Sequence, residues 1–384
     1  MVRSGGAQEC ARYIGDVPLF AIGTASLPDR LYLDHAATTP ILPEAAAAVT
    51  GGLARWANPS SPHAEGRAAK AALEDARGRI AAAYDWKGEV IFTSGASESL
   101  GMALARSIVD RRLISAVEHD SVIRAAVDAA VLPVDSSGLV DVPALDAALA
   151  MPGRPLVAIQ WANSETGVRQ PIATLAARIK AAGGLFLIDA AQMPAGADPD
   201  VAACADFIAI SAHKRGGPPG IGGLLVRDLG TLMPSGGQER GYRPGTENLP
   251  GALGFASALE IPEDIAAMAT LRARLDDAIM RSGGDVVAAG RERHPAIGSY
   301  RMRGLAATTQ LIRFDMAGIA VSAGSACSSG SMKPSHVLGA MGWSVDASRE
   351  VVRVSFGRAT TIADIDRFVA EWRTISRSAR AFAA

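Results

Sequence analysis

Short apolar runs alternate with alanine-rich stretches along most of the chain. The runs include "EVIFT", "PLVAIQ", "LFLID", "FIAIS" and "GGLLV", and most of them end at polar residues. Because these runs are almost continuously apolar, they predict strands of a sheet that is buried on both faces. Helical stretches between them, such as "IATLAARIKAAGG", indicate right-handed crossovers. The pattern therefore predicts an α/β fold with a mostly parallel central sheet flanked by helices.

The chain has 384 residues, which is more than one ordinary domain needs. Beyond about residue 259, a helical stretch leads into a mixed segment with fewer continuous apolar runs. We therefore predict a large domain over 43–262 and a smaller α/β domain over 31–42 and 263–384. Residues 1–30 lack the pattern of a secretory or transit peptide, so we expect a loosely ordered extension there.

Composition and charge narrow the function classes. Apolar residues make up 49% of the chain and charged residues 20%, with a formal net charge of -1. This balance favours a large buried core and gives no reason to expect nucleic acid or an acidic membrane as a partner. The widely spaced Cys10, Cys204 and Cys327 form no metal-type pair and indicate no disulfide framework. We expect no bound metal and a cytoplasmic setting.

Polar side chains gather where the predicted strands end. Lys214 in "SAHKRGG" follows an apolar run, together with Ser211 and His213, and Asp189 ends the preceding run. Ligands of open α/β sheets bind beyond such strand ends. A lysine and an aspartate in one crevice suit pyridoxal phosphate, because the lysine forms a Schiff base and the aspartate pairs with the pyridinium nitrogen. The alternatives are a solvated lysine and a helix N-cap aspartate.

A phosphate site is predicted in "TSGASES". Gly95, Ala96 and Ser97 open a helix after a strand, and free N–H groups at such a terminus favour a phosphate. Thr246 in "RPGTEN" is a further candidate phosphate donor. The alternative interpretation is an ordinary capping turn in both places.

Further candidates follow other strands. His119 in "AVEHDS" suits ring stacking and proton transfer, whereas Asn163 and Gln192 offer amide donors. Arg353 lies in the strand-like run "VVRVSFG" and suits a bidentate clamp on a substrate carboxylate. Each has a structural alternative: a hydrogen-bonded loop histidine, two structural amides, and the polar face of a half-exposed strand.

Cys327 lies in "SAGSACSSGS", a run of small and hydroxyl residues from 322 to 331. Such a composition predicts a mobile loop, at about 322–335, with little burial. The cysteine is therefore a candidate nucleophile, whose thiolate nearby cationic groups would favour. The alternative is an incidental small residue.

Taken together, the motifs resemble those of the cysteine desulfurases, which are class V aminotransferase-like enzymes. The resemblance is to the branch with a long cysteine loop, which serves iron–sulfur cluster assembly and nitrogenase maturation. It covers the chain from about Leu31 to its end and rests on these motifs, in order: "YLDHAATTP", "NPSSPH", "FTSGASES", "EHDSV", "ANSETG", "IDAAQ", "SAHKRGGPPGIGGL", "GGQERGYRPGTEN", "SAGSACSSGSMKPSHVL" and "VRVSFGRAT". It implies a fold-type I pyridoxal-phosphate enzyme that works as a homodimer.

The resemblance also implies roles for the candidate residues. Cys327 would be the nucleophile, Lys214 the Schiff-base lysine, and His119 the ring-stacking histidine. The remaining matches are to cofactor-ring contacts (Asp189, Gln192), the phosphate site (Gly95, Ala96, Ser97, Ser211, His213), a phosphate ligand given to the other subunit (Thr246) and the substrate carboxylate site (Asn163, Arg353). Departures from the family pattern occur at Ala212, Ser164, Pro219 and Pro244, and over about 281–315.

These matches imply an activity. L-cysteine would be converted to L-alanine, and its sulfur would be captured as a persulfide on Cys327 for a sulfur-acceptor protein such as an iron–sulfur scaffold. A selenocysteine lyase or related pyridoxal-phosphate enzyme is the first alternative. A non-catalytic sulfur-relay paralogue is a second, against which Lys214, Asp189 and Arg353 argue.

Overall fold

The computed structural model describes residues 30–324 and 334–383, without the side chains of 379–383. Most of the predicted N-terminal extension and Cys327 lie outside the described residues. The strands are β1 (Leu31–Tyr32), β2 (Glu89–Thr93), β3 (Arg111–Ser115), β4 (Ala130–Leu132), β5 (Pro155–Gln160), β6 (Leu185–Asp189), β7 (Phe207–Ser211), β8 (Gly222–Val226), β9 (Asp285–Val286), β10 (Ile297–Arg301), β11 (Ile319–Ala320) and β12 (Val351–Ser355).

Helices separate most of these strands. They are α1 (Pro43–Leu53), α2 (Ala64–Ala83), α3 (Ala96–Arg106), α4 (Asp120–Ala125), α5 (Val142–Leu149), α6 (Ile172–Ala181), α7 (Pro199–Cys204), α8 (Leu249–Leu259), α9 (Ile265–Arg281), α10 (Ala307–Met316), α11 (His336–Ala340), α12 (Val345–Ser348) and α13 (Ile362–Ala383). The alternation of strand and helix up to β7 is the one that the apolar pattern predicts.

A seven-stranded sheet, in the order β2-β8-β7-β6-β5-β3-β4, forms the centre of the larger part of the chain. β8 alone runs opposite to the other six strands of this sheet. The predicted mostly parallel α/β class is therefore confirmed. The reversal at β8 has a simple cause. The connection over 212–221 is too short for a helical crossover, which a parallel neighbour requires.

Both faces of this sheet are covered by helices. Alternate strand residues point to opposite faces, so Val90 and Phe92 of β2 join one core and Ile91 joins the other. Helices α2, α6 and α8 supply the first core, and α3 and α4 supply the second. The sheet is therefore dry on both sides, as its continuously apolar strands predict.

A separate core forms from the later residues. It is built around an antiparallel sheet of order β12-β10-β9, a parallel pair of β1 with β11, and helices α9 and α13. Phe314 and Phe368 stack in it with ring centroids 5.0 Å apart. Leu31 and Leu33 pack in this core although they come from the start of the described chain. The domain boundaries of 31–42, 43–262 and 263–384 stay a prediction, which the separate cores support.

The register of the central strands places polar residues at one edge. Gln160 of β5 pairs with Asp189 of β6, and Asp189 pairs with Ala209 of β7. All three strands run in the same direction, so the last residues of β5 and β6 lie side by side, and β7 continues two residues further to Ser211. The turn that follows β7 carries Lys214. The edge at which these strands end is therefore the place to look for a site.

A substitution at Gly357 tests how the start of the described chain packs against the segment that follows β12. A Cβ at Gly357, just after β12, would overlap the buried imidazole of His35. Gly357→Ala is expected to lower the free energy of unfolding by about 1–3 kcal/mol, the usual cost of overpacking. Chemical denaturation measures this change.

Gly78 of α2 provides the matched control, because a Cβ there meets open space. Gly78→Ala is expected to raise the free energy of unfolding by about 1 kcal/mol, the difference in helix propensity. An unfolding midpoint that stays unchanged in Gly357→Ala would contradict the close approach.

Candidate active site

A cavity of about 490 Å³ opens at the ends of the central strands, a size typical of small-molecule sites. It contains most of the site residues that the sequence predicts. Those that line it are Gly95, Ala96, Ser97, His119, Asn163, Asp189, Gln192, Ser211, His213, Lys214 and Arg353. The structure thus brings together residues that are far apart in the chain, and the roles assigned to them stay predictions.

Lys214 lies in a single 3-10 turn directly after β7. Its Nζ donates hydrogen bonds to the carbonyl oxygens of Ala36 (2.6 Å) and Ala37 (2.9 Å). Burial, together with the nearby guanidinium groups of Arg353 and Arg215, lowers the pKa of Lys214 to about 8. The turn therefore holds an amine inside the cavity that can lose its proton near neutral pH.

Asp189 ends β6, which pairs with β7, and the turn that carries Lys214 directly follows β7. Its Oδ1 accepts a hydrogen bond from the amide of Ala191 at 2.9 Å. Burial raises the pKa of Asp189, whereas the hydrogen bond from the Ala191 amide and the positive charge of Lys214 act against that rise. The N-cap alternative fails because the next helix, α7, begins ten residues later and is capped by Asp198.

The start of α3 is open to an anion. Gly95 is its N-cap residue with φ of 152°, and no side chain in the described part of the protein caps the first turn. The N–H groups of that turn are therefore available to an anion in the cavity, and the carboxylate of the same turn, Glu98, is paired with Arg243 at 2.7 Å. Ser97 and Ser211 add hydroxyl groups, and His213 adds an imidazole that burial keeps neutral, with a pKa of about 4.

His119 is the N-cap of α4. Its Nδ1 accepts a hydrogen bond from the amide of Ser121 at 3.1 Å and lies 2.8 Å from the Ser121 hydroxyl. An acceptor at Nδ1 leaves the ring proton on Nε2. The cap thus fixes both the orientation and the tautomer of an imidazole that lines the cavity.

The side chain of Asn163 is hydrogen-bonded to its own loop and to the loop that follows β3. Its Nδ2 donates to the Val117 carbonyl at 3.0 Å, and its Oδ1 accepts from the amides of Glu165 (3.0 Å) and Thr166 (2.8 Å). This geometry gives Asn163 a part in shaping the cavity wall. Its direct contact with cofactor and substrate stays a prediction.

Gln192 and Arg353 face the cavity from different parts of the fold. Gln192 Nε2 donates to the Ala36 carbonyl at 3.0 Å, while its buried Oε1 has no hydrogen-bond partner among the described residues. Arg353 of β12 donates to Asp34 Oδ1 at 2.7 Å and to the Ser164 carbonyl at 3.0 Å. Only 5% of Arg353 is exposed, so the alternative of a half-exposed strand face is wrong.

One predicted residue, Thr246, lies outside the cavity, and another, Cys327, lies outside the described residues. Thr246 lies on an exposed turn before α8. The loop that leads to it is anchored by the buried Glu239, which pairs with Arg77 at 2.7 Å and accepts a hydrogen bond from the amide of Phe92 at 2.9 Å. Cys327 lies outside the described residues, so its position relative to the cavity stays a prediction.

Sequence reasoning missed two carboxyl groups of the site. Glu118 is fully buried beside His119, and its Oε1 accepts from the Ser115 hydroxyl at 2.6 Å and from the Gln160 amide at 3.0 Å. Burial raises the pKa of Glu118 to about 8, so it is protonated at neutral pH. Asp34 holds Arg353. Both lie in motifs that the resemblance used, and a charge next to a strand exit was the available signal.

These residues fit pyridoxal phosphate. The uncapped N-terminus of α3 suits a phosphate, the Asp189 carboxyl suits a ring nitrogen, and the Lys214 amine suits an aldehyde. The orphaned Gln192 Oε1 offers an acceptor to the ring hydroxyl. The fold and this donor set define the class of protein as a pyridoxal-phosphate enzyme.

Comparison with known proteins agrees with this class. The Aminotransferase class-V family model matches residues 31–368. A protein of Cereibacter sphaeroides named cysteine desulfurase is 37% identical over 370 residues, covering 89% of this chain and 94% of that protein. A solved NifS-like protein from Rickettsia africae has a TM-score of 0.82 at 31% identity, covering 90% of this chain and 99% of that one.

A third similar structure is titled SspA in complex with cysteine. It has a TM-score of 0.74 at 28% identity and covers 86% of this chain and 100% of that one. The chain belongs to the class V aminotransferase family. The predicted fold-type I class, the resemblance and the cofactor pyridoxal phosphate are thereby confirmed.

Gly222 of β8 offers a test of the phosphate site. A Cβ at Gly222 would lie 2.6 Å from the Cα of Gly95, which begins α3. Gly222→Ala is therefore expected to displace the open helix terminus and to weaken pyridoxal phosphate binding at least about tenfold, a loss of about 1.4 kcal/mol. Equilibrium titration of the cofactor-free protein, followed by visible absorbance, measures the affinity.

The next residue, Gly223, is the matched control. A Cβ there would make ordinary contacts of 3.4–3.5 Å with Ile210 and Val90, so Gly223→Ala is expected to bind the cofactor as the parent does. Equal affinities in the two variants would show that the approach of Gly222 to Gly95 does not shape the phosphate site.

Proposed function

We propose that this protein is a pyridoxal-phosphate-dependent cysteine desulfurase that converts L-cysteine to L-alanine and passes the sulfur to Cys327. One observation carries the proposal: the Lys214 amine, the Asp189 carboxyl and the uncapped start of α3 share one cavity. Relatives named cysteine desulfurases cover most of the chain and support the choice of reaction. The structure of SspA in complex with cysteine supports the choice of substrate.

Arg353 is the proposed anchor for the substrate carboxylate. Its guanidinium is buried and held by Asp34 and by the Ser164 carbonyl, so its position is fixed before the substrate arrives. Its Nε has no hydrogen-bond partner among the described residues, which leaves a donor for a carboxylate oxygen. A preorganised guanidinium of this kind orients the α-carbon of the substrate toward Lys214.

Proton transfer at the α-carbon is assigned to Lys214. Bound pyridoxal phosphate supplies an electron sink that weakens the bonds at the α-carbon of the substrate. The Lys214 amine is well suited to accept the α-proton at Nζ, because its pKa of about 8 leaves a neutral fraction near neutral pH. Asp189, placed for the ring nitrogen, would pair its carboxyl with the pyridinium N–H of the bound cofactor.

Sulfur transfer is assigned to Cys327. Its thiolate attacks the sulfur of L-cysteine, a new S–S bond forms while the C–S bond breaks, and the thiol becomes a persulfide. The remaining three-carbon fragment takes up protons and leaves as L-alanine, so one cysteine and one thiol give one alanine and one persulfide. His119, whose ring proton is on Nε2, is the proposed proton carrier for the thiol.

The proposed assembly is a homodimer. Thr246 supports it, since this exposed residue lies on an anchored loop outside the cavity of its own chain, as expected of a ligand given to a second copy.

The proposed sulfur acceptor is a protein such as an iron–sulfur scaffold, and the proposed setting is the cytoplasm. Within 30–324 and 334–383, the helices lack the combined length and apolarity that a bilayer span requires.

Replacement of Cys327 tests the sulfur step. Cys327→Ala is expected to keep the bound cofactor but to form no protein persulfide with L-cysteine, because the attacking thiolate is gone. Mass spectrometry of the labelled protein locates the persulfide, with Cys204→Ala as the matched control that should retain it. Alanine formation at the parent rate in Cys327→Ala would instead favour a lyase of the selenocysteine lyase type.

The pH profile tests Lys214. Turnover under saturating L-cysteine is expected to rise as the pH increases through about 8, because only the neutral amine accepts a proton. Lys214→Ala is expected to abolish turnover and the visible absorbance band of the bound cofactor. A profile that is flat from about pH 7 to about pH 9, or a band that survives in the variant, would contradict the assignment.

A further inference from the structure

A buried group of charges lies directly behind Lys214. We call it the Arg215 cluster, which consists of Arg215, Glu263 and Arg358. Arg215 is the next residue after Lys214, Glu263 lies in the connection between α8 and α9, and Arg358 follows β12. The cluster therefore joins the turn that carries Lys214 to segments of the later part of the chain.

The distances define a tight network. Arg215 Nη1 lies 2.9 Å from Glu263 Oε1 and 3.2 Å from Glu263 Oε2. Arg358 Nη2 lies 3.3 Å from the same Oε1, and Arg358 Nη1 donates to the Arg215 carbonyl at 3.1 Å. One carboxylate thus holds two guanidinium groups, and one of those also holds the backbone next to Lys214.

The cluster is buried, which makes it sensitive to the loss of either partner. Only 5% of Arg215 is exposed, and the side chain of Glu263 is 12% exposed. A buried guanidinium that loses its carboxylate partner is left uncompensated, so such a pair is strongly sensitive to the loss of one member. An ion pair on a solvated surface would not have this sensitivity.

Hydrogen bonds from the segment before α1 also hold the backbone of this turn. The Thr39 hydroxyl donates to the Lys214 carbonyl at 3.1 Å, and the Leu42 amide donates to the Gly216 carbonyl at 2.8 Å. Together with the bond from Arg358 to the Arg215 carbonyl, three consecutive carbonyl groups accept bonds from other segments. The backbone around Lys214 therefore has little freedom to move.

We propose that Arg215 is a positioning residue for Lys214: paired with Glu263, it fixes the turn and keeps one compensated positive charge beside the amine. This inference rests on the proposed function, in which Lys214 is the proton-transferring amine. The role of Arg215 is separate from substrate binding, since Arg215 does not line the large cavity.

Charged groups face Lys214 from several elements. Arg353 of β12 and Arg215 lower the pKa of its amine, whereas Asp189 of β6 and Asp34 after β1 raise it. His213 and His35 are held neutral by burial, each with a pKa of about 4. Glu263 and Arg358 lie behind Arg215, where the single carboxylate pairs with both guanidinium groups but offsets only one of their two charges.

Opposite pKa shifts are expected when the two partners are neutralised separately. Arg215→Met removes a positive charge and leaves Glu263 in place, so the pKa of Lys214 should rise. Glu263→Gln removes the negative charge and leaves both guanidinium groups, so the pKa of Lys214 should fall below that of the parent. Arg215→Lys keeps the charge and should leave the pKa closer to the parent value than Arg215→Met does.

The measurement is competitive acylation of the full-length, cofactor-free chain across a pH series, with the Lys214 peptide quantified by mass spectrometry. The pH dependence of the visible absorbance of the holoenzyme is a second measurement of the protonation of the Lys214 nitrogen. Arg274→Met, which breaks an exposed ion pair with Asp366, is the matched control. It should change neither the pH dependence of acylation nor that of the absorbance.

A role in packing alone predicts a different result, because a loosened turn would admit water in both variants and raise the pKa of Lys214 in both. The proposal would be overturned if the pKa of Lys214 shifted in the same direction in Arg215→Met and Glu263→Gln, or if it did not differ from that in Arg274→Met. If Arg215→Met does not fold, the direction of the Lys214 pKa shift in the isosteric Glu263→Gln decides alone. A protein that binds no pyridoxal phosphate would refute the proposed function, while the acylation experiment would still decide the role of Arg215.

Discussion

The register between β6 and β7 is the constraint on which the site depends. It places Asp189 at the end of one strand beside the turn after the next, so a carboxyl and an amine share a cavity that neither strand could form alone. Burial acts on them in opposite directions, raising the pKa of Asp189 and lowering that of Lys214. The hydrogen bonds from Lys214 to two carbonyl groups keep the amine inside despite this cost.

The same constraint explains why most of the site was predictable from the sequence. Near-continuous apolar strands predict a buried parallel sheet, and such a sheet gathers the residues that follow its strands at one edge. Gly95, His119, Asp189 and Lys214 all follow this rule and line one cavity. The antiparallel direction of β8 did not follow from the apolar pattern, because direction depends on the length of the connection and on packing.

Contacts between distant segments were the least predictable features. Asp34 holds Arg353 across 319 positions of the chain, and no local pattern of charge indicates such a pairing. Glu118 is similar: its sequence neighbourhood gives no sign that Ser115 and Gln160 enclose it. Asn163 shows the converse: its Nδ2, chosen as an amide donor, is already bonded to the Val117 carbonyl, and its Oδ1 accepts from the Glu165 amide. Burial and partner choice are tertiary properties, and one sequence alone does not specify them.

The ion pair between Arg77 and Glu239 has a consequence beyond anchoring a loop. Strand β2 is an outer strand of the seven-stranded sheet, so one row of its backbone groups has no neighbouring strand within 30–324 and 334–383. Glu239 accepts from the Phe92 amide, and Arg77 donates to the Val90 carbonyl, so the pair occupies groups that a foreign strand would otherwise bind. A loop fastened there blocks edge-to-edge association, and loss of the pair would expose a template for aggregation.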